Sequence, residues 1–218
     1  RMREHTEYIP KPMVEIGGIP ILIHIINYFD YFSKFNYFIC TGYKEEIIID
    51  FIQDNNMENV KVIPTGPETN TGGRILQTKG HFNGSFFMTY GDGLSDINIK
   101  DVMDFHKSRN EIGTISVTNP VSRFGLIETD SNNLVTKFIE KPILSSYINM
   151  GYMIFNQNVY DYIDGDEVFE NNPLKKLSKD KTLNAFSHNG FFRPMDTYRE
   201  SVELNEMWDN GTAPWKKN

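Results

Sequence analysis

The run YFICTG at residues 37–42 is a short apolar segment that ends at a glycine, which is typical of a buried β-strand. Before it, residues 21–32 repeat their apolar side chains at helical spacing, and residues 44–52 do the same after it. A second strand-like run, VKVIP at residues 60–64, stops at a proline. The order helix, strand, helix, strand predicts an α/β fold with a mostly parallel sheet and helices on both of its faces.

The same alternation continues outward from this stretch and then changes character. Residues 85–89 are predicted to form another buried strand, followed by a helix that Asn98 caps. Beyond Glu111 the strand-like runs become shorter, which predicts a smaller and mixed β region with one short helix near residues 159–163. A closing helix is expected over residues 197–208. Because no linker or repeat interrupts the pattern, residues 1–218 are predicted to form a single domain.

Composition and charge make several classes of protein improbable. The chain has 22 basic and 29 acidic residues and a net charge of −7, so no basic field attracts a polyanion and a nucleic-acid partner is not expected. No apolar stretch approaches the roughly 20 residues that a membrane span needs, so no membrane partner is expected. The single cysteine, Cys40, cannot form an internal disulfide, which favours a reducing compartment such as the cytoplasm.

The motif YGDG at residues 90–93 directly follows the predicted strand at residues 85–89. Its two glycines allow the backbone to turn close to a ligand, and the carboxylate of Asp92 would lie at the carboxyl end of the strand. A carboxylate in that place can hold a divalent cation. Taken alone, the motif is more often an ordinary Asp-Gly turn.

A polar segment with the sequence TGPETNTGGR, at residues 65–74, precedes a predicted helix. Backbone N–H groups at the start of a helix, together with the guanidinium of Arg74, could bind a phosphate or a ribose. The alternative is a flexible polar loop, because glycine and threonine clusters mark loops in general.

Two lysines and one further carboxylate complete the candidate residues. Lys11 and Lys141 each precede a proline, which predicts an extended backbone at the lysine and therefore a fixed starting point for its ammonium. Taken as isolated dipeptides, both are more often solvated surface lysines. Asp196 lies at a predicted helix start, where its ordinary role would be an N-cap.

In combination, the order of these motifs resembles the sugar-phosphate nucleotidyltransferases. The TGGR segment at residues 71–74 looks like the signature of the members that transfer a cytidylyl group, and so do FRPMDT at residues 192–197 and GTAPWK at residues 211–216. The resemblance extends over nearly all 218 residues. It implies a Rossmann-like, GT-A-like sheet with a smaller mixed β region for the sugar phosphate.

The resemblance also implies a reaction and a set of site residues. CTP and α-D-glucose 1-phosphate would give CDP-glucose and pyrophosphate, with Mg²⁺ held by Asp92 and Asp196. The implied catalytic residues are Arg1, Lys11, Asp92 and Lys141. The implied nucleotide-binding residues are Arg1, Lys11, Thr69, Thr71, Arg74 and Gly91. On the sugar side the implied residues are Gly125, Glu140, Lys141 and Asn149.

Two segments differ from the pattern of the family. Its members open with a strand and a GGxGTR loop, of which Arg1 would be the last residue, so this strand and loop are expected to precede the chain. Residues 52–60 are also shorter than in the family, which indicates either a trimmed loop or further residues at that point.

The sequence leaves alternatives to this function open. One is a related sugar-1-phosphate nucleotidyltransferase that uses another nucleotide or sugar. The other is a catalytically idle domain that binds a sugar nucleotide. A homo-oligomer is also expected.

Overall fold

The structure is a computed structural model that describes residues 8–217. The α-helices, in chain order, are α1 (Ile21–Phe32), α2 (Glu45–Asp54), α3 (Thr71–Gln77), α4 (Ile99–Lys107), α5 (Asn172–Lys179) and α6 (Tyr198–Asp209). Short 3₁₀ helices lie at Lys11–Met13 and Gln157–Tyr162. The strands are β1 (Glu15–Ile16), β2 (Ile19–Pro20), β3 (Tyr37–Thr41), β4 (Val60–Pro64), β5 (Phe86–Met88), β6 (Gly93–Ser95), β7 (Gly113–Thr118), β8 (Leu126–Thr129), β9 (Val135–Ile139), β10 (Ile148–Phe155), β11 (Leu183–Ser187) and β12 (Phe192–Pro194).

The largest sheet in the described part of the chain is mixed and has the strand order β11-β7-β10-β5. β11 pairs parallel with β7, whereas β10 runs antiparallel to both β7 and β5. Strands β5, β7 and β11 therefore share one direction, and β10 alone is reversed. A parallel pair is also formed by β3 and β4. The predicted α/β fold is confirmed, and the reversed strand is what makes its sheet mixed.

Side chains of β10 are buried on both faces of this sheet. Tyr152 and Ile154 pack in a cluster with residues of α1 and α4. Met153 and Phe155 pack in a second cluster with residues of α3 and α5. Because successive side chains of a strand point to opposite faces, the two clusters lie on opposite sides, and helices cover both of them.

Side-chain caps determine where two of the helices begin. Asn98 accepts hydrogen bonds from two backbone N–H groups in the first turn of α4, as the sequence predicts. At α6 the N-cap is Thr197, which forms a capping box with Glu200. The interpretation of Asp196 as an N-cap is therefore wrong, and its side chain is not occupied in capping α6.

Several short elements differ from the sequence expectations. The helix predicted near residues 159–163 is a 3₁₀ helix at Gln157–Tyr162, and α5 was not predicted. Strands β6 and β12 have three residues each, which is too short to show a hydrophobic period. No helix within residues 8–217 combines the length and the apolar character needed to cross a lipid bilayer.

The connection between α2 and β4 is a tight turn at residues 55–59. Met57 N donates to Ile52 O at 3.1 Å, and Val60 N donates to Met57 O at 3.1 Å. Asn56 adopts a left-handed backbone with φ of 50°. Whether this short segment is a trimmed loop, and whether residues 1–218 form one domain, stay predictions.

Candidate active site

The pairing of β6 with β12 brings together two carboxylates that are far apart in sequence. In this antiparallel register Gly93 lies opposite Pro194, and Met195 N donates to Asp92 O at 2.8 Å. Asp92 directly precedes β6 and Asp196 follows β12, so both residues lie at the same end of the strand pair. The proximity expected for Asp92 and Asp196 is therefore present.

The ammonium of Lys11 lies between these two carboxylates. Its Nζ atom is 2.5 Å from Asp92 Oδ2 and 2.5 Å from Asp196 Oδ1, so the two oxygens are at most about 5 Å apart. Partial burial lowers the pKa of Lys11, but the hydrogen bonds to Asp196 and Asp92 outweigh it and hold the pKa above its usual value. Lys11 is therefore a permanent cation at neutral pH.

The position of Lys11 depends on a 3₁₀ turn and on a glycine. Met13 N donates to Pro10 O at 2.8 Å, which places Lys11 in the turn Lys11–Met13 and contradicts the extended backbone predicted for it. These turn hydrogen bonds override the preference that the following proline imposes. A Cβ atom on Gly91 would lie 3.0 Å from Pro12 Cγ, so the glycine allows this turn to pack against the YGDG segment.

The two carboxylates fit a divalent cation whose remaining ligands come from water and from a bound phosphate. Within residues 8–217, no group of three or more His, Cys, Asp or Glu side chains lies close enough to hold a metal ion. Asp92 and Asp196 can supply two carboxylates, and Mg²⁺ is commonly bound by one or two carboxylates together with water and substrate phosphates. The ammonium held between the pair shows that both carboxylates can face one cation.

The glycines of the TGGR segment lie inside α3 and pack against the loop at residues 164–171. A Cβ atom on Gly72 would be 2.5 Å from Glu167 O, and one on Gly73 would be 2.4 Å from Asp166 Oδ1. Gly72 N donates to Glu167 O, and Asn70 N donates to Asp166 Oδ1, each at 2.7 Å. In the described structure the acidic loop accepts these N–H groups, and the expectation that the segment binds a phosphate or a ribose stays a prediction.

The guanidinium of Arg74 connects the ends of β3 and β4. It donates to Thr41 O at 2.9 Å, to Thr65 Oγ1 at 2.5 Å and to Gly66 O at 3.0 Å. The two segments approach so closely that a Cβ atom on Gly42 would lie 2.5 Å from Gly66 O. Arg74 thus has structural contacts, and its role as a nucleotide ligand stays a prediction.

The two threonines that are predicted to bind the nucleotide donate hydrogen bonds within the protein. Thr69 Oγ1 donates to Thr65 O at 2.5 Å, and Thr71 Oγ1 donates to Glu170 Oε2 at 2.9 Å. Glu170 also accepts a hydrogen bond from the hydroxyl of Tyr90, which directly precedes Gly91. Sequence reasoning missed Glu170 and its hydrogen bond with Tyr90, because nothing local links residues 80 positions apart.

On the sugar side, Gly125 and Glu140 are neighbours. A Cβ atom on Gly125 would be 3.1 Å from Glu140 Oε2. Lys141 has a left-handed backbone with φ of 47°, so the extended conformation predicted from Pro142 is wrong. The turn is closed instead by Ser122 N, which donates to Pro142 O at 2.8 Å.

Asn149 lies at an irregularity of β10. Its Oδ1 atom accepts a hydrogen bond from Gly151 N at 2.8 Å, and Gly151 has φ of 78°. A Cβ atom on Gly151 would be 2.5 Å from a ring carbon of Tyr90, so the glycine leaves room for that ring. Of the remaining site residues, Arg1 lies outside the described residues.

Comparison with known proteins identifies related sequences over nearly the whole chain. The sequence pattern of the nucleotidyl transferase family matches residues 1–191. The glucose-1-phosphate cytidylyltransferase of Salmonella typhi is 37% identical over 243 aligned residues, which cover 99% of this chain and 94% of that protein.

Solved structures share the fold. HddC from Yersinia pseudotuberculosis has a TM-score of 0.69 at 25% identity, covering 92% of this chain and 90% of that one. The apo form of a UDP-glucose pyrophosphorylase has a TM-score of 0.72 at 16% identity, with 97% and 94% covered. At 16% identity, the likeness to the pyrophosphorylase shows a shared fold and nothing more.

Proposed function

The chain belongs to the nucleotidyl transferase family, and from this premise we propose that it transfers a cytidylyl group from CTP to α-D-glucose 1-phosphate, giving CDP-glucose and pyrophosphate. The observation that carries the chemistry is the convergence of Lys11, Asp92 and Asp196. The choice of substrates is supported by the 37% identity with an enzyme of that activity along 99% of this chain.

The reaction joins two anions, so the protein has to align them and offset their repulsion. A phosphate oxygen of glucose 1-phosphate attacks the α-phosphorus of CTP in line. The new P–O bond forms while the bond from the α-phosphorus to the bridging oxygen breaks, and that oxygen leaves with pyrophosphate. No covalent enzyme intermediate is needed, which agrees with catalysis by positioning and charge stabilisation.

The carboxylates of Asp92 and Asp196 are proposed to hold Mg²⁺. When bound, Mg²⁺ supplies Lewis-acid stabilisation of phosphate oxygens and a template for the two substrates. Lys11 is the cation next to both carboxylates, and its ammonium can exchange them for phosphate oxygens of the nucleotide.

The sugar phosphate is proposed to bind at Lys141, with Glu140 accepting hydrogen bonds from sugar hydroxyls. Lys141 is exposed, and none of the ion pairs found within residues 8–217 involves it. An ammonium without a protein counterion is suited to bind a phosphate.

The direct test is pyrophosphate release with Mg²⁺, glucose 1-phosphate and each of CTP, UTP, dTTP and ATP. A site that pairs the exocyclic amine and N3 of cytosine leaves its own polar groups unpaired with uracil, so we expect CTP to be favoured over UTP by at least ~10²-fold in kcat/KM. Comparable turnover of UTP or dTTP would instead identify a relative with another nucleotide. Binding of CDP-glucose without turnover of any triphosphate would identify an idle binding domain.

We also propose that the enzyme self-associates through the apolar surface of residues 121–148. Phe124 is 77% exposed, Leu134 67%, Phe138 62% and Ile143 72%, and contiguous exposed apolar surface marks interaction sites. Multi-angle light scattering should show an oligomer at micromolar concentration, and Ile127→Glu with Leu134→Glu should shift it toward monomer. A monomeric wild-type protein would contradict this proposal.

The cytoplasmic location expected from the single cysteine stays a prediction. Cys40 is a free thiol, and burial raises its pKa, so it is poorly suited to reactive roles. Fractionation of cells that produce the protein would test its location.

A further inference from the structure

The carboxylate of Glu200 binds more of the backbone than a capping box requires. In such a box it accepts the N–H of the N-cap residue, and here Glu200 Oε2 lies 2.8 Å from Thr197 N. The same oxygen also lies 2.8 Å from Asp196 N. Glu200 thus binds the peptide N–H of the residue proposed to hold the metal.

The second oxygen of this carboxylate faces the sugar side. Arg123 donates from a guanidinium nitrogen to Glu200 Oε1 at 3.4 Å, and Arg123 lies two positions before Gly125. The side chain of Arg123 is 74% exposed, so this pair adds little energy. Its importance is that one carboxylate contacts segments from both halves of the proposed site.

Asp196 has few other restraints. Its side chain is 55% exposed, and within residues 8–217 its carboxylate is bound by Lys11. If Lys11 moves to the phosphates of a nucleotide, that restraint is lost. The hydrogen bond from Asp196 N to Glu200 then remains to set the direction of the carboxylate.

We propose that Glu200 is a positioning residue, which orients Asp196 toward the metal through its hydrogen bonds to the backbone of residues 196 and 197. This inference rests on the proposed function, because it takes Asp196 as a metal ligand. Outer groups that orient metal ligands typically affect metal affinity by about 10- to 100-fold.

The test compares the two halves of the capping box. Glu200→Ala and Thr197→Ala each remove one half, so both should lower Tm by a similar amount, about 2–4 °C. Only Glu200→Ala frees Asp196 N.

The affinity for Mn²⁺ is measured by electron paramagnetic resonance, with CTP and without sugar phosphate. It should weaken about 10-fold in Glu200→Ala and at most about 2-fold in Thr197→Ala. Glu200→Gln keeps an acceptor oxygen and should stay within about 2-fold of the wild type.

Two results with the variants of Glu200 and Thr197 would overturn the inference. Equal Mn²⁺ affinities for Glu200→Ala and Thr197→Ala would mean that Glu200 acts only on the helix. A Glu200→Gln variant as weak as Glu200→Ala would mean that its hydrogen bonds to the backbone are not what orients Asp196.

Reference measurements separate this inference from the proposed function. Asp196→Asn should weaken Mn²⁺ binding, and if it does not, Asp196 is no ligand and the inference fails even when the wild type turns over CTP. If the wild type turns over no CTP but the variants follow the expected order, the proposed reaction fails and the role of Glu200 stands.

Discussion

At the scale of single residues, Asp92 and Asp196 are proposed to act on one shared cation, so the loss of either should remove most of what both contribute. We predict that Asp92→Asn and Asp196→Asn each lower kcat/KM by roughly 10²-fold or more, because each removes a charged metal ligand. The double variant should lose little beyond the worse single one. Steady-state pyrophosphate release checks this, and losses that multiply in full would contradict a shared metal.

Lys141 permits a prediction that separates the two substrates. Lys141→Ala should raise the KM for glucose 1-phosphate much more than the KM for CTP. If one charge-assisted hydrogen bond is lost, the rise corresponds to a loss of about 1.5–3 kcal/mol in the binding free energy of glucose 1-phosphate. Lys137→Ala is the matched control, because this exposed lysine of the same hairpin pairs with Glu128 at 2.9 Å. Equal changes in both KM values would assign Lys141 to the triphosphate or to the fold.

At the scale of elements, α3 shows why a motif needs its neighbours to be understood. Glycine disfavours a helix by about 1 kcal/mol relative to alanine, yet α3 contains two in succession. The contacts with Glu167 and Asp166 explain this, since any side chain would meet the acidic loop. The glycines therefore serve helix packing in the described structure.

This packing predicts unequal effects of alanine at the two glycines. Gly72→Ala should lower the free energy of unfolding by about 1–3 kcal/mol, because it meets a backbone carbonyl that cannot easily move. Gly73→Ala should cost less, because the closest atoms that it meets, Asp166 Oδ1 and Thr69 Cγ2, belong to side chains that can move, although moving Asp166 gives up its hydrogen bond with Asn70 N. Urea denaturation of both variants provides the comparison. A Gly72→Ala protein more stable than the wild type would show that helix propensity outweighs the contact.

At the scale of the whole molecule, two of the histidines within residues 8–217 are buried. His24 Nε2 is 2.8 Å from Ile16 O, and Trp215 Nε1 donates to His24 Nδ1 at 3.4 Å, which joins α1 to the C-terminal segment. His106 Nδ1 is 3.0 Å from Thr114 Oγ1, which joins α4 to β7. Burial lowers the pKa of both histidines, and the charge of Lys216 lowers that of His24 further, against the opposing hydrogen bond to Ile16.

These buried histidines predict a loss of stability in mild acid. Their folded pKa lies below the ordinary value of 6.5, so the unfolded chain binds protons first, and stability is full above pH 6.5 and falls as the pH decreases below it. Each histidine contributes a slope of at most about 1.4 kcal/mol per pH unit. Urea denaturation from about pH 7.5 to about pH 5.5 should show the fall.

The slope is the readout, so the test does not depend on how stable each variant is. His24→Gln and His106→Gln should each flatten the dependence on pH, and His81→Gln, at an exposed position, is the control substitution. A wild-type stability that is constant over this range would contradict the prediction.

Local patterns in the sequence determined the order of the elements and several of their ends. The alternation of hydrophobic periods predicted α1, β3, α2 and β4, and Asn98 was identified as a cap, because periodicity and capping depend on residues within one or two turns. The motifs around Asp92 and Asp196 could also be identified from the sequence, and so could the family. The likeness to that family implied that both residues bind one metal ion, which stays a prediction.

The tertiary structure alone decided which groups meet. The reversal of β10, the pairing of β6 with β12, and the acidic loop against α3 are contacts between segments far apart in the chain. For the same reason Glu200 and Glu170 were not recognised, and the acceptors of the N–H groups at the start of α3 were not foreseen. A hydrogen-bonding group shows its type in the sequence, but its partner depends on the packing of the whole chain, because each buried donor takes whichever acceptor the fold brings to it.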